Sequence, residues 1–510
     1  MEGLMKQLKA WIAQNKFEFL LLLLIISAAT AVRLWNIGEY LPFMGDEGRD
    51  VRVVRKLVTE GDLVFIGPRT SIGNMYLGPL YYYLMAPSLI LSDFSPVGPA
   101  VFVALLGVVT VWMVWFVTRE WFGKRAAIIA SLLYSLSPIV ILLSRHSWNP
   151  NVMPFFALGC VFSVWRLWQK KMFTTLVPLG IFFAFVLQSH YLGLLLLPTL
   201  AVTWFLALLV FRKAKKLKSF FGNSLLGLSF FILLMSPLAL FDSKHGWGNF
   251  GAIKTFFTDR QSTVSIKPWN AIGQIGHVWN DLFITRIVTA NNQTIGIIVS
   301  LFIVIGLVLV ILKYRQSKNN EKLNASLLLT GWMLAGIVGL ALYKQSIYDH
   351  YFGFLFPAPF IAVGVIASKA WEGKLKLLVI AGVAVLLFIN LQKNPLKFSP
   401  QRQLQRTQEI DKSIVEKSEG KPFNFGLIAK TNYEEGYLYF FELWNAPVKE
   451  IDAQNVKETI TDQLFVACED SVCEPINNPK AEIAGFGWAK IESQWEVSGT
   501  KIFKLVHATK

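Results

Sequence analysis

Charge is what this sequence has least of: 16% of its 510 residues are Asp, Glu, Lys or Arg, where a soluble globular chain carries about 25%. With 54% apolar residues and a mean hydropathy of +0.47, it has too little polar surface to stay dissolved. Cysteine is nearly missing too. The three present make no CxxC pair and no zinc spacing, which removes those metal and redox readings. Cys160 lies in an apolar run and reads as packing. Cys468 and Cys473 read equally as a disulfide or as two free thiols. There is no P-loop, HExxH or G-x-S-x-G, and no D-x-D of the kind expected where a metal presents a nucleotide sugar. GWGNFG at 246–251 fits G-x-G-x-x-G but follows no strand, so it reads as a turn.

Long apolar runs are abundant. Eleven lie at about 17–35, 97–117, 126–143, 152–165, 173–188, 191–211, 220–240, 293–312, 323–343, 351–368 and 377–390. A helix needs about 20 mostly apolar residues to span a bilayer. Lys and Arg cluster between the runs, as in RKAKKLK (212–218) and KYRQSKNNEK (313–322). Residues 1–390 hold 34 Lys+Arg against 16 Asp+Glu, and the remaining 15 and 17 lie in 391–510. A net +16 arranged this way follows membrane topology and not nucleic-acid binding. With the basic clusters cytoplasmic, the N-terminus is cytoplasmic and the tail from 391 extracytoplasmic. The expectation is an α-helical polytopic membrane protein of about eleven spans, residues 1–390, with a small extracytoplasmic α/β domain at 391–510. GPLYYYLMAPSLIL (78–91) would invert every later loop if it crossed, so it reads as an interfacial or re-entrant piece of the first outer loop, 36–96.

This topology sorts the carboxylates. Eleven of the 16 before residue 391 fall in outer loops: Glu39, Asp46, Glu47, Asp50, Glu60, Asp62, Asp93, Asp242, Asp259, Asp281 and Asp349. Ion-coupled transporters place such groups at mid-membrane depth. Here they gather at one face.

The first outer loop holds Asp46 and Glu47 side by side, with Gly45 and Gly48 around them. In an extended segment the two side chains point to opposite faces, so one acid would aim at a reacting atom and the other orient a group or bind a cation. The glycines would let backbone approach a ligand. The same residues also read as a solvated turn with helix-capping acids. Val51, Val54, Leu57 and Val58 then mark an amphipathic helix on the membrane, with Arg52, Arg55 and Lys56 placed for lipid phosphates. Further outer segments add polar groups: Arg145, His146 and Asn149 in SRHSWNPN, His190 in QSHYLG, Asp242 and His245 in FDSKHGWGNF, and His350 and Tyr351 in YDHYFGFLFP. Arg145 has the two-pronged geometry that suits a phosphate. A lone histidine at a helix end is more often structural than catalytic, but several loops supplying Arg, His and carboxylate to one face shift that balance.

An Asp-Glu pair opening a long first loop, then GPLYYYL, SRHSWNP, QSHYLG and HYFGFLFP, resembles the GT-C superfamily of membrane glycosyltransferases over roughly residues 15–390. The nearer relatives by resemblance are the protein O-mannosyltransferase-like enzymes and the aminoarabinose transferases of lipid A. The resemblance implies a sugar donor on a polyprenyl phosphate, a hydroxyl acceptor on protein, lipid or glycan, and reaction at the extracytoplasmic face. It implies Asp46 as catalytic base, Glu47 as the second acid of the pair, and Arg145 as the arginine near the site. Where aminoarabinose transferases often carry a further Asp, this chain has Asn149. The chemistry fits: an attacking hydroxyl needs a base, and a departing lipid phosphate needs cationic or hydrogen-bonding partners, from Arg145 with His190 or His350. One base without a second nucleophile suits inversion; a retaining route would need Asp242 or Asp349. The residue types leave a divalent metal open. Two other readings stand beside this one: a transporter or flippase of a lipid-linked glycan, and a non-catalytic membrane protein that binds glycan or lipid.

In the tail, residues 401–412 and 433–444 read as helices, 423–429 and 463–468 as strands, and 495–506 as a terminal hairpin or strand.

Overall fold

The computed structural model describes residues 2–70, 75–258, 263–265, 267–452, 454–470 and 472–508. Asp259, counted above among the outer-loop carboxylates, lies outside them. The chain divides into two compact units. One comprises residues 1–35, 64–84 and 101–399; the other comprises 36–63, 85–100 and 400–510.

The larger unit is helical. Seven helices among the described residues are long and apolar enough to cross a membrane: Lys16–Leu34, Val97–Phe122, Asn149–Gln169, Tyr191–Lys213, Leu217–Lys244, Gln293–Gln316 and Asn320–Leu342. An eighth is the pair Asp349–Leu355 and Pro357–Trp371, bent by 51°. The other three apolar runs also fall on helices: Phe173–Ser189, Lys376–Gln392, and Lys124–Leu136 followed by Pro138–Leu143. Pro138 breaks that last run because proline cannot continue the preceding hydrogen-bond ladder. The segment 78–91 forms the short helix Leu80–Leu91, with Pro87 inside it. Leu217–Lys244 leaves Leu225, Ile232 and Leu233 exposed, the surface that lipid tails accept. The protein is a multi-pass membrane protein.

Small residues set two of the closest helix contacts. A Cβ on Gly180 would lie 2.0 Å from the Gly227 carbonyl oxygen, and one on Gly364 would lie 2.5 Å from that of Ala126. In lipid, where apolar side chains gain little by leaving the solvent, such close backbone approach is a main source of helix association. The backbone of Leu217–Lys244 cannot retreat from a branched side chain. Gly180→Val is therefore expected to cost about 1–3 kcal/mol, read as a lower unfolding temperature in detergent.

In the second unit, residues 400–510 build a four-stranded sheet in the order β1-β2-β4-β3, from β1 (Asn424–Ile428), β2 (Gln463–Cys468), β3 (Ala489–Val497) and β4 (Thr500–His507). β1 and β2 are parallel, and β4 is antiparallel to both β2 and β3. Alternation along the strands gives two apolar faces. Phe425, Leu427, Phe465, Ala467 and Ile502 pack under the helices Gln403–Lys417 and Glu435–Leu443. Leu464, Val466, Phe503 and Leu505 pack with Ile483 and Phe486 of helix Ala481–Phe486. Cys468 and Cys473 are joined as a disulfide, Cα–Cα 5.9 Å.

Candidate active site

Asp46 and Glu47 occupy the first turn of helix Gly45–Thr59, so the expectation of an extended segment is corrected. Acids are favoured there because the unpaired N–H groups and helix dipole are positive. Glu47 reaches back and accepts from the Met44 N–H at 3.2 Å, half of a capping box. Successive helical side chains do diverge, and the two acids end in different surroundings. Glu47 is buried, while the Asp46 side chain is 41% exposed.

The flanking glycines admit the chain's own C-terminal part instead of a ligand. A Cβ on Gly45 would lie 2.2 Å from the Tyr433 ring, and one on Gly48 would lie 2.3 Å from the Gly436 nitrogen. Helix Gly45–Thr59 thus packs directly against the start of Glu435–Leu443. The Gly45 N–H donates to Asn432 Oδ1 at 2.9 Å. Oδ1 of Asp46 accepts from Arg49 Nη1 and from the Tyr433 hydroxyl, each at 2.8 Å. Arg49 also donates to the fully buried Asp50, through Nε at 3.0 Å and Nη2 at 2.7 Å. The other Asp46 oxygen, Oδ2, carries no hydrogen bond among the described residues.

Burial pushes the Glu47 carboxyl up to about 8, with the neighbouring Asp46 charge adding to the effect. At neutral pH Glu47 holds its proton and the pair is chemically unlike. The folded state keeps this proton while the unfolded chain releases it from the ordinary value of 4.5 upward. Stability therefore falls as pH rises between about 4.5 and 8. Glu47→Gln should flatten that slope, seen as a smaller loss of unfolding temperature between these two pH values.

Arg52 is not placed for lipid phosphate. It is buried and pairs with Glu435, Glu442 and Glu450. Val51 and Val54 are buried as well, so this helix turns its apolar stripe into the protein rather than onto a membrane.

Within the larger unit, Arg145 is also re-read. It is buried and gives Nη1 to the Val32 carbonyl at 2.7 Å and Nη2 to that of Trp35 at 2.8 Å. These carbonyls stand at the end of helix Lys16–Leu34, where the last turn lacks intrahelical donors. Arg33, fully buried beside them, donates to the carbonyls of Ala29 and Ser135. Together the two arginines staple the end of the first span. Asn149 gives its amide to the Ser189 carbonyl at 2.7 Å, and His146 is buried, its imidazole pushed down to about 4 by burial.

His190, His350 and Tyr351 do come together. The His190 ring lies 4.3 Å from that of Tyr351 and 6.0 Å from that of His350, and the Trp148 ring lies 4.2 Å from His350, tilted by 52°. His190 Nδ1 accepts from the Leu192 N–H at 3.2 Å, and burial, with the nearby His350 charge, lowers its pKa. Tyr191 and Tyr343, which sequence reading passed over, join hydroxyls at 2.7 Å beside this cluster. Also missed was Arg286, ion-paired with Asp349 at 2.7 Å and 37% exposed. It lines a polar cavity of about 520 Å³ with His277, Gln274, Lys344 and Gln345. An apolar cavity of about 240 Å³ lies among Leu77, Leu187, Tyr191, Leu195, Met235 and Phe256. Among the described residues no three His, Cys, Asp or Glu side chains converge as metal ligands.

Residues 77–241 match the family model described as dolichyl-phosphate-mannose-protein mannosyltransferase. The structure of ArnT from Cupriavidus metallidurans bound to undecaprenyl phosphate superposes with a TM-score of 0.61, over 94% of this chain and 97% of that one, at 12% identity. Its apo state gives 0.58, over 96% and 98%, again at 12% identity. The chain has the fold of these two structures. Archaeal oligosaccharyltransferase AglB from Archaeoglobus fulgidus, in complex with an inhibitory peptide and a dolichol-phosphate, shares it at a TM-score of 0.51, over 89% of this chain and 70% of that one, at 13% identity. No curated protein sequence matches the chain significantly. The stretch matched by the family model contains Arg145, His146, Asn149 and His190, but not Asp46, Glu47, His350 or Tyr351.

Proposed function

We propose that the chain transfers a sugar from a polyprenyl-phosphate donor to a hydroxyl acceptor at the extracytoplasmic membrane face, with Asp46 as general base and inversion at the anomeric carbon. The observation that carries this reading is the setting of Asp46. One carboxylate oxygen is held by a cation and a phenol; the other carries no hydrogen bond among the described residues. The acceptor oxygen bonds to the anomeric carbon as the bond from that carbon to the phosphate oxygen breaks. The electron pair leaves on the lipid phosphate, and the hydroxyl proton passes to Asp46.

The departing phosphate requires cationic or hydrogen-bonding partners. Arg145 already gives both of its Nη groups to backbone carbonyls. A retaining route would need a second carboxylate as nucleophile. Asp242 accepts from the N–H groups of Asn249 and Phe250, and Asp349 is paired with Arg286; both engagements favour single displacement. The bound lipids in the ArnT and AglB structures, and the description of the matching family model, support a polyprenyl-phosphate donor. No step is assigned to a metal.

The test uses purified protein in liposomes with undecaprenyl-phosphate-linked mannose or aminoarabinose, radiolabelled in the sugar. Label leaving the lipid for a hydroxyl acceptor, with release of undecaprenyl phosphate, is the expected result. Label that crosses the bilayer on intact donor would replace this reading with transport.

A further inference from the structure

The turn between β1 and helix Glu435–Leu443 touches Gly45 and Asp46 through two consecutive residues. Tyr433 lays its ring in the space that Gly45 leaves open, and its hydroxyl accepts from Arg49 at 3.2 Å while donating to Asp46 Oδ1 at 2.8 Å. Asn432 accepts from the Gly45 N–H and from its own neighbour's N–H, both at 2.9 Å. Its amide nitrogen rests on the two oxygens of Glu469, at 3.0 and 3.1 Å. Glu469 follows Cys468 at the end of β2 and also accepts from the Tyr437 hydroxyl at 2.7 Å. So the backbone before Asp46 and the carboxylate itself are both gripped by one loop, and that loop is anchored on the sheet.

A carboxylate on a first helical turn swings freely about its last torsion unless something fixes it. Here two donors converge on the same oxygen, which leaves Oδ2 in a defined direction. We propose that Asn432 and Tyr433 are positioning residues for the base: the C-terminal domain fixes which Asp46 oxygen meets the acceptor hydroxyl, and transfer depends on it. This rests on the reading of Asp46 as base. Tyr433 contributes its hydroxyl and not only its ring, since phenylalanine would fill the Gly45 space equally well.

The test compares wild type, Tyr433→Phe, Asp46→Asn and the double variant, all full length, in the liposome assay. Tyr433→Phe should lower kcat about 10- to 100-fold by misplacing the base. KM for the lipid donor should stay within about twofold, the pattern of an interaction that matters only in the transition state. In the Asp46→Asn background the same change should do nothing further. Wild-type kcat in Tyr433→Phe, or an equal loss in both backgrounds, overturns the positioning role and leaves Asp46 untouched. Wild-type turnover in Asp46→Asn instead overturns the base assignment, whatever Tyr433 does. A second readout needs no turnover: amide hydrogen exchange over residues 44–50 in detergent. Asn432→Ala frees the Gly45 N–H and should speed exchange there; unchanged exchange overturns the positioning role of Asn432.

Discussion

Arg52→Met is expected to destabilise the unit formed by residues 36–63, 85–100 and 400–510 by about 3 kcal/mol, the lower end for a broken buried ion pair. The guanidinium is the hub of three carboxylates, and its side chain is only 9% exposed. Methionine fills much the same space but removes the cation shared by Glu435 and Glu442, leaving Glu442 only the more distant Lys56, at 3.7 Å. Glu450 is 58% exposed and water screens it, so it adds little. The dependence on pH gives the effect a signature. Burial opposes ionisation of Glu442, but the hydrogen bond and charge of Arg52 overcome it and hold its carboxyl below the usual range. A depressed folded value adds stability above the ordinary 4.5, lost as pH falls through the folded value. Wild type should therefore weaken on acidification. Arg52→Met should be worst near neutrality and recover toward acid pH, and Glu442→Gln should partly restore it. Thermal unfolding of the variants across pH reads all three. A variant as stable as wild type at pH 7 would make the cluster energetically idle.

Asp46→Asn is expected to lower transfer about 10²- to 10⁴-fold, the usual span for loss of a general base. Asparagine keeps the size and can still accept from Arg49 and Tyr433 through its amide oxygen, so fold and donor binding should survive. The loss should fall on kcat and leave KM for the lipid donor near the wild-type value. Glu47 offers the contrast. It is buried and protonated at neutral pH, so Glu47→Gln replaces one neutral hydrogen-bonding group with another and should cost far less than Asp46→Asn. Equal losses at both positions would mean that the pair acts as a unit, and the assignment of one base would fail.

The membrane helices were legible because each apolar run had to become a helix: lipid offers no partner for open backbone groups. All eleven runs lie on helices, including 126–143, where Pro138 forces a break within the run. The tail was legible for a different reason. The apolar strands QLFVAC and FNFGLIA are buried on both faces, and 463–468 forms over its expected range. Helix Ala481–Phe486 and the early start of β3 at Ala489 were missed, since six residues carry no helical period and β3 is mostly exposed.

The site was half legible. The Gly-Asp-Glu-Gly stretch announced close approach, but not what approaches. Its partners, Asn432 and Tyr433, lie almost 390 residues away, and local pattern cannot register such a contact. Arg52 and Arg145 misled for the same reason. An arginine reads as a phosphate ligand until its partners are known: carboxylates for Arg52, helix-end carbonyls for Arg145. Arg286 was overlooked because it sits inside an otherwise apolar stretch, FITRIV, with no motif around it.

The most direct measurement follows the bond between sugar and phosphate in liposomes holding wild type or Asp46→Asn, with acceptor and labelled undecaprenyl-phosphate donor supplied to both. Wild type is expected to cleave this bond and pass the sugar to the acceptor hydroxyl, with the anomeric configuration inverted, while Asp46→Asn binds the donor and leaves it whole. Cleavage at the wild-type rate by Asp46→Asn would contradict this expectation.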